Sequence, residues 1–241
     1  MPHTLTWHGH SNFQLRTADG KTVLIDPFFE GNPSAGTGAE SIESVDAVFI
    51  THDHDDHMGQ ALEICQRTGA TAVAMFDVCG KLKDLGLPQE QCLGMNIGGT
   101  VDAAGLKAKM VQAMHSSATG VAAGFILTLP DGFCLYHAGD TGLFSSMELF
   151  GKFHDIHLAL LPIDGHFNMD PEQAAYAARL LGCRRTVAMH WGTFPILEQN
   201  TDRFQGQLER LAPRCGLVPM QPGESVTLTP PENAGEPCGC D

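Results

Sequence analysis

The sequence predicts a mixed α/β fold, in which two mixed sheets carry helices on their outer faces within one domain. Three observations predict it. Apolar segments typical of strands outnumber helical ones, hairpins are mixed with strand–helix–strand units, and 241 residues are enough to bury one large core. We expect this domain to span residues 1–229, and the Pro/Gly-rich segment 230–241 to be a flexible tail.

The first half of the chain combines strands with short helices. Its strands alternate or run apolar, and they cover residues 3–9, 11–17, 21–29 and 45–52. Residues 18–20 supply the turn of a hairpin. Helical spacing follows over 57–68, then a short strand over 71–76 and a helix over 77–85 that ends at Gly86.

The second half returns to strands before its helices. Predicted strands cover residues 106–115, 120–130, 132–140, 156–163, 184–190, 216–221 and 225–230. Helices are predicted over 143–152, between Asp170 and Gly182, and over 201–211. In the middle one, Asp170 is the N-cap, Pro171 the first helical residue and Gln173 the partner in a capping box.

Composition limits the possible partners and the cellular compartment. Lysine and arginine number 14 against 28 acidic residues, so the net charge of −14 disfavours binding to nucleic acid or to anionic lipid. No apolar run approaches the roughly 20 residues of a membrane span, and the N-terminus lacks a secretion signal. The eight cysteines are scattered, which favours a reduced, cytoplasmic protein. The single pair Cys238 and Cys240 does not by itself predict a metal site.

A cluster of histidines and aspartates follows the predicted strand over 45–52. Because alternate residues of an extended segment face the same side, we expect His52, His54 and Asp56 to converge and His57 to be offset. Imidazole nitrogens and a carboxylate suit a divalent transition metal such as zinc. Four candidate ligands are too many for one catalytic metal, which keeps a position open for water, so the cluster predicts a two-metal site.

Further candidate ligands lie at the ends of three other predicted strands. These residues are His115, Asp140 and His190. Loops that build active sites gather at the carboxyl ends of strands in α/β architectures. Each residue alone would be weak support for a metal site, but together with the cluster they complete a ligand set for two ions.

These motifs together resemble the metallo-β-lactamase fold superfamily. The resemblance rests on T-H-D-H-D-D-H (51–57), H-S-S (115–117), H-A-G-D-T (137–141) and M-H-W-G-T-F-P (189–195). A second set is W-H-G-H-S-N-F (7–13), I-D-P-F (25–28), I-G-G-T (97–100) and P-E-Q-A-A (171–175). When this second set is considered together with the first, the resemblance becomes narrower. Over residues 3–228, the chain is similar to metal-dependent hydrolases related to the ascorbate-6-phosphate lactonases. The resemblance implies a four-layer αβ/βα sandwich with a binuclear metal site along one edge.

The resemblance also implies which residues bind the two metals. The first ion would be bound by His52, His54 and His115, the second by Asp56, His57 and His190, with Asp140 bridging. Zn²⁺ is the expected ion, and Mn²⁺, Fe²⁺ or Ni²⁺ would suit the same donors. The segment 161–173 departs from the family pattern, so no role is carried over to Asp164, His166 or Asn168.

The implied activity is hydrolysis of a small-molecule ester or lactone by a metal-bridged hydroxide. Asp56 would orient that hydroxide, and His10 or His166 would give a proton to the leaving group. His10 can equally be a structural residue that bonds a nearby loop, and for His166 a purely structural role is slightly favoured over proton donation. Two alternatives stay open, a phosphodiesterase of the same fold and an iron-dependent sulfur dioxygenase. The sequence also leaves open a homo-oligomer.

Overall fold

Two seven-stranded sheets form the frame of the protein within residues 2–229, the part that the computed structural model describes. The first sheet contains β1 (His3–Trp7), β2 (Phe13–Arg16), β3 (Thr22–Ile25), β4 (Ala47–Phe49), β5 (Thr71–Met75), β6 (Cys92–Met95) and β14 (Ser225–Leu228), in the order β14-β1-β2-β3-β4-β5-β6. The second contains β7 (Thr100–Ala103), β8 (Leu106–Gln112), β9 (Ala123–Thr128), β10 (Cys134–His137), β11 (Leu158–Pro162), β12 (Arg185–Met189) and β13 (Gly216–Leu217), in the order β13-β12-β11-β10-β9-β8-β7. The predicted flexible tail, with Cys238 and Cys240, lies outside the described residues.

Helices cover the two sheets. They are α1 (Asp55–Met58), α2 (Ala61–Thr68), α3 (Phe76–Asp84), α4 (Met147–Phe153), α5 (Pro171–Leu181) and α6 (Asp202–Leu211). Helices α2 and α3 pack on the first sheet, whereas α5 and α6 pack on the second. Among residues 2–229, no helix has both the length and the apolar character needed to span a bilayer.

The core lies between the two sheets and beneath the helices that cover them. Phe49 of β4 and Phe125 of β9 meet edge to face, with their ring centroids 5.2 Å apart, and both side chains are fully buried. All five residues of β11 are buried, as expected for a parallel strand that is covered on both faces. The helix–sheet–sheet–helix order confirms the predicted four-layer sandwich.

The predicted boundaries are confirmed for α5 and wrong for the helix over 57–68. In α5, Asp170 Oδ1 accepts a 2.8 Å hydrogen bond from the Gln173 amide, and Gly182 ends the helix at a left-handed φ of 59°. The 57–68 helix is divided into α1 and α2 at Gly59, whose φ is +41°. A Cβ on Gly59 would lie 2.4 Å from the Pro27 carbonyl oxygen, so close approach of another loop requires glycine.

Two strands were not predicted from the sequence, β6 and β7. Both are four residues long, and most of their side chains are at least partly exposed, so neither has a clear apolar pattern. β6 forms because its backbone pairs in parallel with β5, whereas β7 pairs antiparallel with β8. Tertiary pairing therefore decides these two strands.

Strand direction brings the predicted ligands to one edge of the sandwich. Strands β3, β4 and β5 are parallel in the first sheet, as are β10, β11 and β12 in the second. Strand β8 runs in the same direction as β10, because both are antiparallel to β9. The segments that follow β3, β4, β8, β10, β11 and β12 carry the residues of the site described next.

Candidate metal centre

The seven predicted ligands lie together in three overlapping groups of donor atoms. The groups are His52, His54 and His115; His10, Asp56, His57 and His190; and His52, His57 and Asp140. Within each group the donor atoms lie within 4.8 Å of one another. The third group shares one histidine with each of the others, so Asp140 lies between the first two.

The cluster does not form by alternation along an extended segment, as the sequence suggested. The chain is extended only as far as His54, because helix α1 begins at Asp55. The His57 amide donates to the His54 carbonyl at 3.0 Å, and this helical turn places Asp56 and His57 in the same donor group. Asp55 is exposed on the outside of the turn.

Asp53 points away from the donor groups and anchors the segment that follows His115. Its Oδ1 accepts hydrogen bonds from the Ser117 hydroxyl and the Ala118 amide, both at 2.8 Å. Its Oδ2 is paired with Lys81 Nζ at 2.9 Å. Burial alone would raise the pKa of Asp53, but the bonds from Lys81 and Ser117 hold that pKa well below its usual range.

Asp26, at the end of β3, orients two of the histidines. Its Oδ2 accepts from the Thr51 hydroxyl at 2.7 Å and from His57 Nδ1 at 2.8 Å. Since the Thr51 hydroxyl donates to Asp26, it accepts from His52 Nδ1, which is 3.1 Å away. Nδ1 thus carries the proton in both rings when they are neutral, which leaves Nε2 as the acceptor atom that a cation could bind. The Nε2 of His57 has no well-formed hydrogen bond, whereas the Nε2 of His52 lies 2.9 Å from His54 Nδ1.

Asp140 contacts three histidines at the centre of the site. Its Oδ1 lies 3.2 Å from His57 Nε2, and its Oδ2 lies 3.2 Å from His190 Nε2 and 3.5 Å from His115 Nε2. Although these atoms are close, Asp140 Oδ1 and both Nε2 atoms of His57 and His190 are buried without a well-formed hydrogen bond. Buried polar atoms are rarely left without a partner, and a cation bound among them would satisfy all three.

A second aspartate lies beside His190 as Asp26 lies beside His57, although His190 Nδ1 makes no well-formed hydrogen bond to it. Asp164 follows β11, and its Oδ2 lies 3.2 Å from His190 Nδ1. Its Oδ1 accepts from the backbone amides of His166 and Phe167 at 2.9 and 2.7 Å. Asp164 therefore ties the loop of His166 to the site, whereas the His166 side chain itself is exposed and belongs to none of the donor groups.

The charges around His57 and His190 favour protons where a metal would bind. Burial disfavours the charged form of both rings, but Asp140 and Asp26 raise the pKa of His57 well above its ordinary value. Asp140 and Asp164 likewise raise the pKa of His190 to about 9. Burial would raise the pKa of Asp140, yet His190 and His57 hold it well below its usual range. In the metal-free protein, protons thus supply the positive charge that the carboxylates attract.

His10 is fully buried beneath Asp56. Its Nε2 lies 3.1 Å from Asp56 Oδ2 and its Nδ1 lies 3.0 Å from the Thr193 hydroxyl. Burial and the neighbouring His190 lower the pKa of His10 to about 4, although the bond to Asp56 opposes them. A neutral His10 that donates to Asp56 holds that carboxylate in place and bonds the nearby loop. Its predicted role as proton donor stays a prediction.

His137 connects the segment of His10 to the segment of Asp140. It is buried, its Nε2 lies 3.1 Å from the Ser11 carbonyl, and its Nδ1 accepts from the Gly139 amide at 3.1 Å. Gly139 has a φ of +61°, and a Cβ there would lie 2.6 Å from the Ala123 carbonyl oxygen. Only glycine allows this close packing directly before Asp140.

Strained backbone also concentrates at this edge of the sandwich. Among residues 2–229, four residues other than glycine have positive φ, and they are His10, Asp26, Ala104 and His190. Three of these four belong to the site or orient it. Such strain is typical of functional sites, where the surrounding structure must hold it.

The sequence assigned no role to Asp26, which lies in the I-D-P-F motif, or to Asp164. Both could have been found by the rule that identified Asp140 and His190, because each is an acidic residue that comes directly or nearly directly after a buried apolar strand. Their contacts depend on strand order, which the sequence pattern does not specify.

The similarities to known proteins agree with this geometry. A β-lactamase superfamily domain matches residues 21–191. A UPF0173 metal-dependent hydrolase of Nitratidesulfovibrio vulgaris (strain DP4) is 54% identical over 243 residues, covering 100% of both chains. One from Methanopyrus kandleri is 40% identical over 230 residues, covering 92% of this chain and 98% of the other. The structure of Igni18, a metallo hydrolase from the archaeon Ignicoccus hospitalis, superposes with a TM-score of 0.86 at 39% identity, covering 95% of this chain and 99% of that one.

These matches confirm the metallo-β-lactamase fold and the metal dependence that the ligand motifs predicted. They extend over nearly the whole chain, including every segment that carries a donor residue. The chain belongs to the UPF0173 family of metal-dependent hydrolases, within the β-lactamase superfamily.

Proposed function

We propose that this metal-dependent hydrolase uses two divalent ions, which we assign as zinc, to hydrolyse a small-molecule ester or lactone. The observation that carries the proposal is the position of Asp140 between two separate donor groups. His52, His54 and His115 would hold one ion, Asp56, His57 and His190 the other, and Asp140 would bind both. These nitrogen and oxygen donors suit zinc, and they would also accept Mn²⁺, Fe²⁺ or Ni²⁺.

The chemistry follows from what each residue can do at the site. When bound, a pair of divalent cations lowers the pKa of a shared water and polarises a carbonyl oxygen. Asp56 has a side chain that is 33% exposed, whereas His57 and His10 are fully buried, so Asp56 can meet both solvent and substrate. Asp56 therefore orients the attacking water, and His10 holds its carboxylate in position.

Cation binding is expected to release protons. At pH 7 the raised pKa values of His57 and His190 keep both rings largely protonated in the metal-free protein, whereas a ligand must be neutral. Zinc affinity should therefore rise with pH at least until pH passes about 9, the pKa of His190. Titration calorimetry in buffers of different ionisation enthalpy measures this release. Zinc binding without proton release at pH 7 would contradict the assignment of these two residues as ligands.

The two candidate proton donors are expected to differ in their dependence on the leaving group. His166 is exposed, whereas His10 is buried and bonded to Asp56. We expect His166→Gln to lower kcat for an alkyl ester by about 10²-fold or more and to spare a 4-nitrophenyl ester, whose leaving group needs no proton. His10→Gln should lower kcat for both esters, because Asp56 loses its support. A His10 variant that affects only the alkyl ester would instead identify His10 as the donor.

Metal exchange combined with a substrate panel tests the proposed function. The protein is stripped with a chelator, reloaded separately with Zn²⁺, Mn²⁺, Fe²⁺ and Ni²⁺, and assayed on esters, lactones and bis(4-nitrophenyl) phosphate. Ester or lactone hydrolysis that disappears on stripping and returns with zinc is the expected result. Hydrolysis of the phosphodiester alone would favour a phosphodiesterase. Iron-dependent oxygen uptake with a persulfide, without ester hydrolysis, would favour a sulfur dioxygenase.

A further inference from the structure

The segments that build the candidate metal centre contain no lysine or arginine. These segments are residues 8–12, 26–32, 50–60, 112–122, 138–146, 163–170 and 190–200. All 14 basic residues of the chain lie elsewhere in the sequence. Proteins recognise phosphate and carboxylate groups mainly through arginine and lysine. The site segments therefore offer no lysine or arginine to an anionic group that lies away from the metals.

Two basic residues that contact these segments from neighbouring helices, Lys81 and Arg203, are paired with acidic residues of the segments. Lys81 of α3 binds the buried Asp53 at 2.9 Å, and Arg203 of α6 binds Glu198 at 2.8 Å. The helix that begins next to the 163–170 segment, α5, has its N-terminus capped by the Asp170 carboxylate. Each of these three features thus already has an acidic partner within the protein.

Apolar side chains are exposed on the same segments. Met114 is 55% exposed, Val121 51%, Phe167 55% and Ile196 58%. Met114 directly precedes His115, and Phe167 lies on the loop that Asp164 ties to the site. Single exposed apolar residues are ordinary on protein surfaces, so their significance depends on whether the segments form one surface.

Hydrogen bonds join these segments around the metal centre. The Met114 amide donates to the Thr141 hydroxyl at 2.9 Å, and the Met169 amide donates to the Thr141 carbonyl at 3.2 Å. The Glu198 amide in turn donates to the Asp164 carbonyl at 3.0 Å. Thr141 thus joins the segment of Met114 to the segment of Phe167, and that segment is joined in turn to the segment of Ile196. Asp140 directly precedes Thr141 in the sequence.

We infer that the substrate of this site is uncharged, with an apolar group next to the ester or lactone bond. This inference rests on the proposed ester hydrolysis and specifies its substrate class. An apolar group gains by leaving water against Met114, Phe167 and Ile196, whereas a second anionic group would lose its hydration without gaining an ion pair to lysine or arginine. A phosphorylated lactone therefore fits this site less well than a neutral one.

A matched pair of esters tests the inference on the zinc-loaded protein. 4-Nitrophenyl pentanoate and the mono-4-nitrophenyl ester of glutaric acid share the leaving group and the acyl chain length, and they differ by one terminal carboxylate. We expect kcat/KM to be at least about tenfold higher for the pentanoate after subtraction of the uncatalysed rates, a difference of about 1.4 kcal/mol. Equal or faster hydrolysis of the glutarate ester would overturn the inference and leave the hydrolase proposal intact. Hydrolysis of neither ester would contradict the proposed function itself.

A charge placed on the apolar surface should change this preference. Phe167→Arg is expected to lower the pentanoate-to-glutarate ratio by roughly fivefold or more, since a cation near the acyl chain attracts the carboxylate. Phe153→Arg is the matched control, because Phe153 is 77% exposed on α4 and belongs to none of the site segments. Ile196→Arg provides a second test if Phe167→Arg does not fold. A ratio that stays at the wild-type value in both Phe167→Arg and Ile196→Arg would contradict the inference.

Discussion

Replacing Asp140 with asparagine is expected to lower kcat/KM for an ester by at least about a thousandfold. Loss of one electrostatic group at a reaction centre typically costs about 10²–10³-fold, and Asp140 serves both donor groups. Asparagine keeps the size of the side chain but removes the negative charge that faces His57, His115 and His190. The measurement is kcat/KM together with the metal content of the purified variant.

Asp55→Asn is the matched control for Asp140→Asn. Asp55 is an exposed carboxylate within the ligand motif, and it belongs to none of the donor groups. Its substitution should leave kcat/KM within about twofold of the wild-type value, as expected for a surface change that alters only a screened charge. An Asp140→Asn variant that retains both the bound metal and the activity would show that the centre has been placed wrongly.

Replacing Asp26 with alanine is expected to destabilise the fold by about 3–5 kcal/mol, the typical effect of removing one member of a buried charged pair. Asp26 is fully buried and accepts hydrogen bonds from the Thr51 amide at 2.8 Å, the Thr51 hydroxyl and His57. Alanine would leave all three donors buried without a partner. Urea unfolding in the presence of a chelator measures the effect separately from any loss of metal.

Asp26→Asn distinguishes the charge of this residue from its shape. It keeps an acceptor oxygen for Thr51 and removes the charge beside His57, so its effect should fall between those of the wild type and Asp26→Ala. A change of less than about 0.5 kcal/mol in Asp26→Ala, typical of surface substitutions, would contradict the structural role of this carboxylate.

Local sequence signals predicted the parts of the fold that depend on local chemistry. The cap at Asp170 and the stop at Gly182 predicted α5, and apolar runs predicted most of the strands that deliver the candidate ligands to the site. The division at Gly59 was missed, because it depends on the approach of the Pro27 carbonyl from a distant loop. Tertiary approach of this kind leaves no periodic signal in the sequence.

The sequence likewise predicted only part of the site. The candidate donor residues were predicted from their types and their spacing after strands, whereas the residues that orient them were not predicted. Asp26 meets His57 across 31 residues of sequence because β3 and β4 pair in parallel, and Asp164 meets His190 because β11 and β12 do so. The proton donor, the homo-oligomer and the cytoplasmic location stay predictions.

The central claim is that the chain holds two metal ions that share Asp140, and metal stoichiometry tests it most directly. Protein freed of metal is dialysed against zinc, and the zinc bound per chain is measured by elemental analysis for the wild type, His54→Ala and Asp55→Asn. We expect two equivalents in the wild type and in Asp55→Asn, and one in His54→Ala, which loses a ligand of the first group only. A single equivalent in the wild type, or two in His54→Ala, would contradict the two-metal centre.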